Sequence, residues 1–341
     1  RWAHRLSLFP LPSSLIPHPS HPVRVVSLLP AATEWIAAFG ASDQLVGRSH
    51  ECDYPDAVTS APVVTRASYN GSGTSAEIDT AVQERLQQGL SLYEVDLDRL
   101  KALDPGLIVT QDQCEVCAVS LPELERALRD WGGEAAPDLV SLQPSTFKEV
   151  LDGALRLGRT LGRSGAAMRT VADGEMRLQQ LRAKVGVDRR VDPETLPTVA
   201  CIEWIDPLMT AGHWMPDVAE HAGARSVLSD KGGRSPGIAF EDLRQANPDA
   251  IAILPCGFTV DQTVADLDGL TEREGWRELD AVRNGRVAIL DGNAYFNRPG
   301  PRLVRSCELL ASVVHGCDDL FETPVQRWER IWLEEAVEPS I

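Results

Sequence analysis

Two stretches of this chain carry one pattern. Residues 97–110 read LDRLKALDPGLIVT, and residues 240–253 read FEDLRQANPDAIAI. Laid over each other without gaps, Asp98 falls on Glu241, Leu100 on Leu243, Lys101 on Arg244, Pro105 on Pro248 and Ile108 on Ile251. Each copy predicts a short helix ending near a proline, then an apolar run suited to a buried strand. Two copies so far apart imply two related α/β lobes, although a helix–Asx-Pro–strand unit also recurs by chance in such proteins. Facing lobes leave a cleft between them, and interfaces of that kind are favoured ligand sites.

Length points the same way. At 341 residues the chain exceeds the size at which one core usually stops growing, so two domains are expected. A net charge of −17, with no local concentration of Lys and Arg, argues against nucleic acid and against an anionic membrane surface. It leaves room for a partner that presents arginines. No apolar run reaches bilayer-spanning length, so membrane insertion is not expected. Residues 1–22 are rich in Pro, His and Ser. They read as a disordered tail or a remnant, because the short apolar run at 6–11 is broken by Pro10 and makes a poor leader.

Strands are predicted at 23–29, 44–47, 139–142, 198–204, 250–254 and 286–290, with helices between most of them. That alternation means parallel-rich sheets covered on both faces. A long helical stretch opens at Thr146, which with Glu149 fits a capping box. Phe147, Val150, Leu151, Ala154, Leu155, Gly158 and Leu161 keep helical spacing. The stretch can bend at 162–165 before resuming to about 185. It reads as a rigid strut between the halves and not as a tether. The expected plan is a tail at 1–22, an N-terminal α/β lobe at 23–143, a linking helix at 144–190, a C-terminal α/β lobe at 191–321 and a tail at 322–341.

Loops after the strands hold the aromatics. Trp204, His213 and Trp214 flank one loop, Tyr295, Phe296 and Arg298 occupy another, and Tyr69 and Tyr93 lie in the first half. Ligands of open α/β sheets bind outside the carboxyl ends of strands, where flat rings suit a bulky, partly apolar ligand. The same rings can equally fill lobe cores. His50-Glu51-Cys52-Asp53 and Cys114-Glu115-Val116-Cys117 form the sharpest local constellation. Cys52, Cys114, Cys117 and His50 are candidate ligands for zinc or iron, and a disulfide or a structural thiol pair is the alternative. No nucleophile elbow, Walker loop or dinucleotide fingerprint is present, so no enzyme is expected.

The run RVVSLLPAATE at 24–34 resembles the opening of class III substrate-binding proteins of ABC importers. HECDYP at 50–55, QCEVC at 113–117 and NAYFNRPGP at 293–301 are similar to the cobalamin-binding branch of that family. The resemblance covers about residues 23 to 321. It implies two Rossmann-like lobes joined by one long rigid helix, with cobalamin or a related corrinoid held between them by Trp204, His213, Trp214, Tyr295, Phe296, Arg298, Tyr69, Tyr93 and His50. It also implies that Asp98 and Glu241 dock a permease through its arginines. The chain is expected to act as a monomer, to need no cofactor of its own and to work in the periplasm or elsewhere outside the cytoplasm. A cytoplasmic place stays open without a clear leader. Ferric-siderophore or haem binding, and an intracellular corrinoid or metal carrier or redox protein built on the His/Cys cluster, are the alternatives.

Overall fold

A computed structural model of the chain describes residues 22–88, 90–111, 124–125, 128, 131, 136–187 and 192–316. Among these, the strands are β1 (Val25–Ser27), β2 (Leu45–Arg48), β3 (Thr65–Ala67), β4 (Tyr93–Val95), β5 (Leu107–Thr110), β6 (Asp138–Ser141), β7 (Thr198–Trp204), β8 (Met209–Thr210), β9 (Arg225–Ser226), β10 (Ala250–Ile253) and β11 (Val287–Ile289). The α-helices are α1 (Pro30–Ala38), α2 (Ser75–Gln87), α3 (Leu97–Ala102), α4 (Phe147–Thr160), α5 (Ser164–Lys184), α6 (Met215–His221), α7 (Phe240–Ala246), α8 (Val260–Asp266), α9 (Asp268–Thr271), α10 (Asp280–Arg283) and α11 (Leu303–His315).

Two parallel-rich sheets result. The first runs β2-β1-β5-β6 and is parallel throughout. The second runs β11-β10-β7-β8, with β9 beside β7; only β8 is antiparallel. The repeat is structural. α3–β5 and α7–β10 occupy matching places, and Leu100 pairs with Leu243, and Ile108 with Ile251, as fully buried positions. Between helix and strand, Asp104 and Asn247 both take left-handed backbone, with φ of 42° and 37°. Asx residues tolerate that conformation best among residues with a side chain, so the aligned Asx-Pro pairs make one turn twice.

Strand residues alternate between two apolar clusters. Val25, Leu107 and Val109 point inward with Val199, Cys201, Ala252 and Ala288 of the second sheet. Val26 and Ile108 face outward in the first lobe, and Ala200, Ile202, Ile251 and Ile253 do so in the second. The inward cluster is continuous from one lobe to the other through α1, α4, α5, α6 and α11. One core therefore spans the junction, which opposes a wide hinge.

The expected strut is two helices. Thr146 caps α4, accepting from the Glu149 N–H at 3.2 Å while Glu149 accepts from the Thr146 N–H at 3.1 Å. Asp217, at the start of α6, accepts the Phe147 N–H at 2.9 Å and so ties the helix start to the second lobe. The chain then turns at Gly162, where φ is +68°. There α4 and α5 cross closely: a Cβ on Gly158 would lie 2.3 Å from that of Ala167. The 21 residues of α5 reach the second lobe, where Arg177 donates to Glu308 of α11 at 2.8 Å. The bend falls at a left-handed glycine within the 162–165 stretch, a conformation that a residue without a Cβ adopts freely.

β3 pairs antiparallel with β4, and α2 lies between them in the chain. No described helix is long and apolar enough to cross a membrane.

Candidate functional site between the lobes

Both sheets aim the carboxyl ends of their strands at the gap between the lobes, where open α/β sheets place ligands. After β2 the chain turns through His50 to Pro55. His50 is half-buried and held by Thr65: the Thr65 hydroxyl accepts the His50 backbone N–H at 3.0 Å and lies 2.8 Å from Nδ1. The His50 ring leans on Tyr93 at 5.9 Å, and Tyr69 meets Tyr93 edge-on at 6.5 Å. Tyr93 donates to Glu51 at 3.2 Å.

The second lobe contributes Trp204, at the end of β7, and Phe258, after β10. Their rings meet edge-on at 5.3 Å and pack into the outward cluster of the first lobe beside Tyr69 and Tyr93. Trp204 Nε1 is buried without a hydrogen-bond partner. Among the described residues Trp276 Nε1, in the core of the second lobe, shares that state, although buried donors are usually paired. Beside these rings two hydrogen bonds latch the lobes: Ser75 N–H donates to Asp266 Oδ2 at 2.9 Å, and Asp206 N–H donates to Ser75 Oγ at 3.0 Å.

A clasp forms from the loop at 291–302. Asp291 caps its first turn by accepting the Ala294 N–H at 2.7 Å. Gly292 is required, because a Cβ there would stand 2.1 Å from the Pro255 carbonyl oxygen. Arg298 reaches across the gap and donates to both carboxylate oxygens of Asp53, to the Glu51 carbonyl at 3.3 Å and to Asn293 Oδ1 at 2.8 Å. Arg302 makes a fork to Glu34 at 2.9 and 2.7 Å and covers the Tyr54 ring at 4.1 Å. Trp35 Nε1 donates to the Pro299 carbonyl at 3.1 Å. Planar guanidiniums suit such two-point grips on carboxylates.

Burial and charge set the ionisations. Burial lifts the Glu34 carboxyl above its ordinary range, although both guanidiniums oppose it. It lifts Glu51 in the same way, against the Tyr93 hydrogen bond. At Asp53 burial also pushes upward, but the hydrogen bond and charge of Arg298 outweigh it and the carboxyl is held low. Burial lowers His50 and His213, so neutral imidazole is favoured at both.

The predicted residues therefore divide. His50, Tyr69, Tyr93 and Trp204 gather at one end of the gap. His213 is half-buried, with its N–H bonded to the Gly233 carbonyl at 2.6 Å and its ring stacked on Trp214 at 5.9 Å. Tyr295 is half-buried beside Arg302. Three of the predicted residues lie in the junction between the lobes. Phe296 is 0% exposed within the inward cluster. Trp214 is buried in the same cluster and donates to the Phe296 carbonyl at 3.0 Å. Arg298 is buried, with its guanidinium engaged in the clasp. Loop position put all three near the ligand, but packing turned them into the junction.

The metal reading finds no support among the described residues. Cys52 turns away from His50, accepting from the Thr33 hydroxyl at 3.0 Å, and burial pushes its thiol up to about 11. Among the described residues no three His, Cys, Asp or Glu side chains gather to hold an ion. Cys114 and Cys117 lie outside the described residues. Asp98 and Glu241 are exposed second residues of α3 and α7, at matching places on the two lobes. Sequence reasoning missed Glu34, Asp53 and Arg302, the Ser75–Asp266 latch and Phe258. Glu34 ends the run that carried the resemblance, and a charged residue inside an apolar run was the available signal. A hollow of about 720 Å³ lined by Leu178, Arg182, Val187 and His221 lies along α5, contains none of the predicted residues and is away from the strand ends.

The family described as "Periplasmic binding protein" matches residues 25–294. A vitamin B12-binding protein of Vibrio parahaemolyticus is 24% identical over 85% of this chain and 90% of its own length. An uncharacterized ABC transporter substrate-binding lipoprotein of Bacillus subtilis is 23% identical over 86% of this chain and 80% of its own. Among solved structures, the periplasmic vitamin B12 binding protein of Vibrio cholerae superposes with a TM-score of 0.61 at 22% identity, covering 86% of this chain and 97% of that one. A periplasmic heme binding protein of Pseudomonas aeruginosa does so with a TM-score of 0.62 at 21% identity, covering 87% and 94%. With paired lobes, a helical junction and a gap at the strand ends, the chain belongs to the periplasmic binding protein family, as a non-enzymatic substrate-binding protein of the kind that serves ABC importers.

Proposed function

We propose that this protein captures a corrinoid, cobalamin or a close analogue, between its lobes and delivers it to an ABC importer permease outside the cytoplasm. One observation carries the reading. Rings from both lobes, His50, Tyr69 and Tyr93 with Trp204, converge at the strand ends, and the Trp204 N–H has no acceptor. A large, flat ligand edged with amide oxygens matches both the rings and that donor. His213 and Tyr295 flank the remainder of the gap in this reading. Asp98 and Glu241 then dock the permease as a matched pair of acids, since carboxylate–arginine contacts give register and steering. One monomer takes one ligand, and the clasp and latch limit closure to a small movement. The intracellular carrier alternative has no support in the family match.

A second reading, haem, is favoured by the equal likeness to a heme binding protein fold. Incubation with cyanocobalamin, haem and a ferric siderophore, followed by gel filtration and absorption spectra of the protein peak, separates them. Cobalamin bands at one equivalent are expected. Co-elution of haem alone, or of the siderophore alone, would replace the proposal.

A further inference from the structure

The hydrogen bonds around His50 fix which of its nitrogens is free. Thr65 Oγ1 donates its one proton to Ser49 Oγ at 2.9 Å and accepts the His50 backbone N–H at 3.0 Å. With that proton committed, the 2.8 Å contact to Nδ1 is a bond in which the imidazole donates. A neutral imidazole protonated on Nδ1 carries its lone pair on Nε2. Anchoring one ring nitrogen to a hydroxyl in this way fixes the tautomer and orientation that a metal needs from the other.

No three potential ligands gather among the described residues, so this imidazole does not hold a bare ion. One nitrogen is enough for a metal whose equatorial positions a macrocycle already fills. A ferric siderophore, which surrounds its iron with its own oxygens, leaves no position to take. We infer that His50 Nε2 is an axial ligand to the cobalt of the bound corrinoid, with Thr65 as the positioning residue. The inference rests on the corrinoid reading above. In the step the water on the cobalt leaves and the Nε2 lone pair forms the new Co–N bond; cobalt stays trivalent and no electron moves.

The test compares aquacobalamin, whose water exchanges, with cyanocobalamin, whose cyanide does not. Wild-type protein should bind aquacobalamin at least tenfold more tightly. The corrin bands should shift toward those of aquacobalamin mixed with free imidazole. His50→Ala should bind both forms equally and without the shift. Thr65→Val should keep cyanocobalamin affinity and lose part of the preference. Tight binding of aquacobalamin by the wild type without a band shift, or equal affinity for the two forms, overturns the axial ligand and leaves the corrinoid reading standing. Absence of binding to either form overturns both. The wild-type spectra decide these outcomes even where a variant fails to fold.

Discussion

Replacing Arg298 with methionine removes a charge and a fork while keeping most of the side chain's bulk. The guanidinium bonds Asn293 Oδ1 at 2.8 Å and the Glu51 carbonyl at 3.3 Å, grips Asp53, and stands 3.8 Å from Glu34. The Asp53 side chain is 55% exposed, so water screens that pair. It contributes no more than about 1 kcal/mol. The two other hydrogen bonds contribute about 1 kcal/mol each. Glu34 is 2% exposed and would keep one guanidinium in place of two. That loss adds about 1 kcal/mol, and the total of about 3–4 kcal/mol falls in the range for breaking a buried ion pair. Arg298→Lys restores the charge but not the fork and should recover about half of it. Urea unfolding followed by tryptophan fluorescence and circular dichroism measures both variants. Because one apolar cluster spans the lobes, a single transition is expected. An Arg298→Met protein within about 1 kcal/mol of wild type would refute the clasp. So would a lysine variant no better than the methionine one.

Three further outcomes follow from the same contacts. Burial first, and then Arg182, hold the His221 pKa down to about 4, against 6.5 for the ordinary side chain. Between those values the unfolded chain binds the extra proton, so stability should fall as pH drops from 6.5 toward 4, by up to about 3 kcal/mol. His221→Phe, packed on Phe147, should flatten that slope in urea midpoints measured across this range, and an unchanged slope would count against it. Phe296→Ala should lose about 3–5 kcal/mol of stability. Trp204→Ala should chiefly lose cobalamin affinity by fluorescence titration; the reverse pattern would return Phe296 to the ligand site. The Asp98→Arg, Glu241→Arg double variant should bind ligand normally and fail in uptake assays, whereas wild-type uptake would remove the docking role.

The sequence carried the backbone plan further than the side-chain plan. Helix–Asx-Pro–strand units were legible because local rules write them: apolar spacing, a proline, and an Asx that accepts left-handed backbone. The Thr146–Glu149 cap was legible for the same reason. The ligand face was less so. Trp204 ends β7 and Phe296 follows β11, and nothing local says that one packs against the outward cluster of the first lobe while the other is buried in the junction. Arg298 looked like a ligand-binding cation because its partners, Asp53 and Glu34, lie in the other lobe. Likewise Ser75 and Asp266 meet only after both lobes have folded and docked. Long-range pairing of this kind leaves no periodic trace in one sequence. The His50–Cys52 pair looked like a metal motif by spacing, yet it lies in the turn after β2, where the two-residue period of a strand no longer holds, and the side chains part, one to Thr65 and the other to Thr33.

Crystals grown with cyanocobalamin test the central claim most directly. The account predicts electron density for one corrin ring in the gap, bordered by His50, Tyr93 and Trp204, with a ligand oxygen within hydrogen-bond distance of Trp204 Nε1. Ordered corrin density along α5 beside Leu178 and Arg182, with the gap still closed by its own rings, would contradict it.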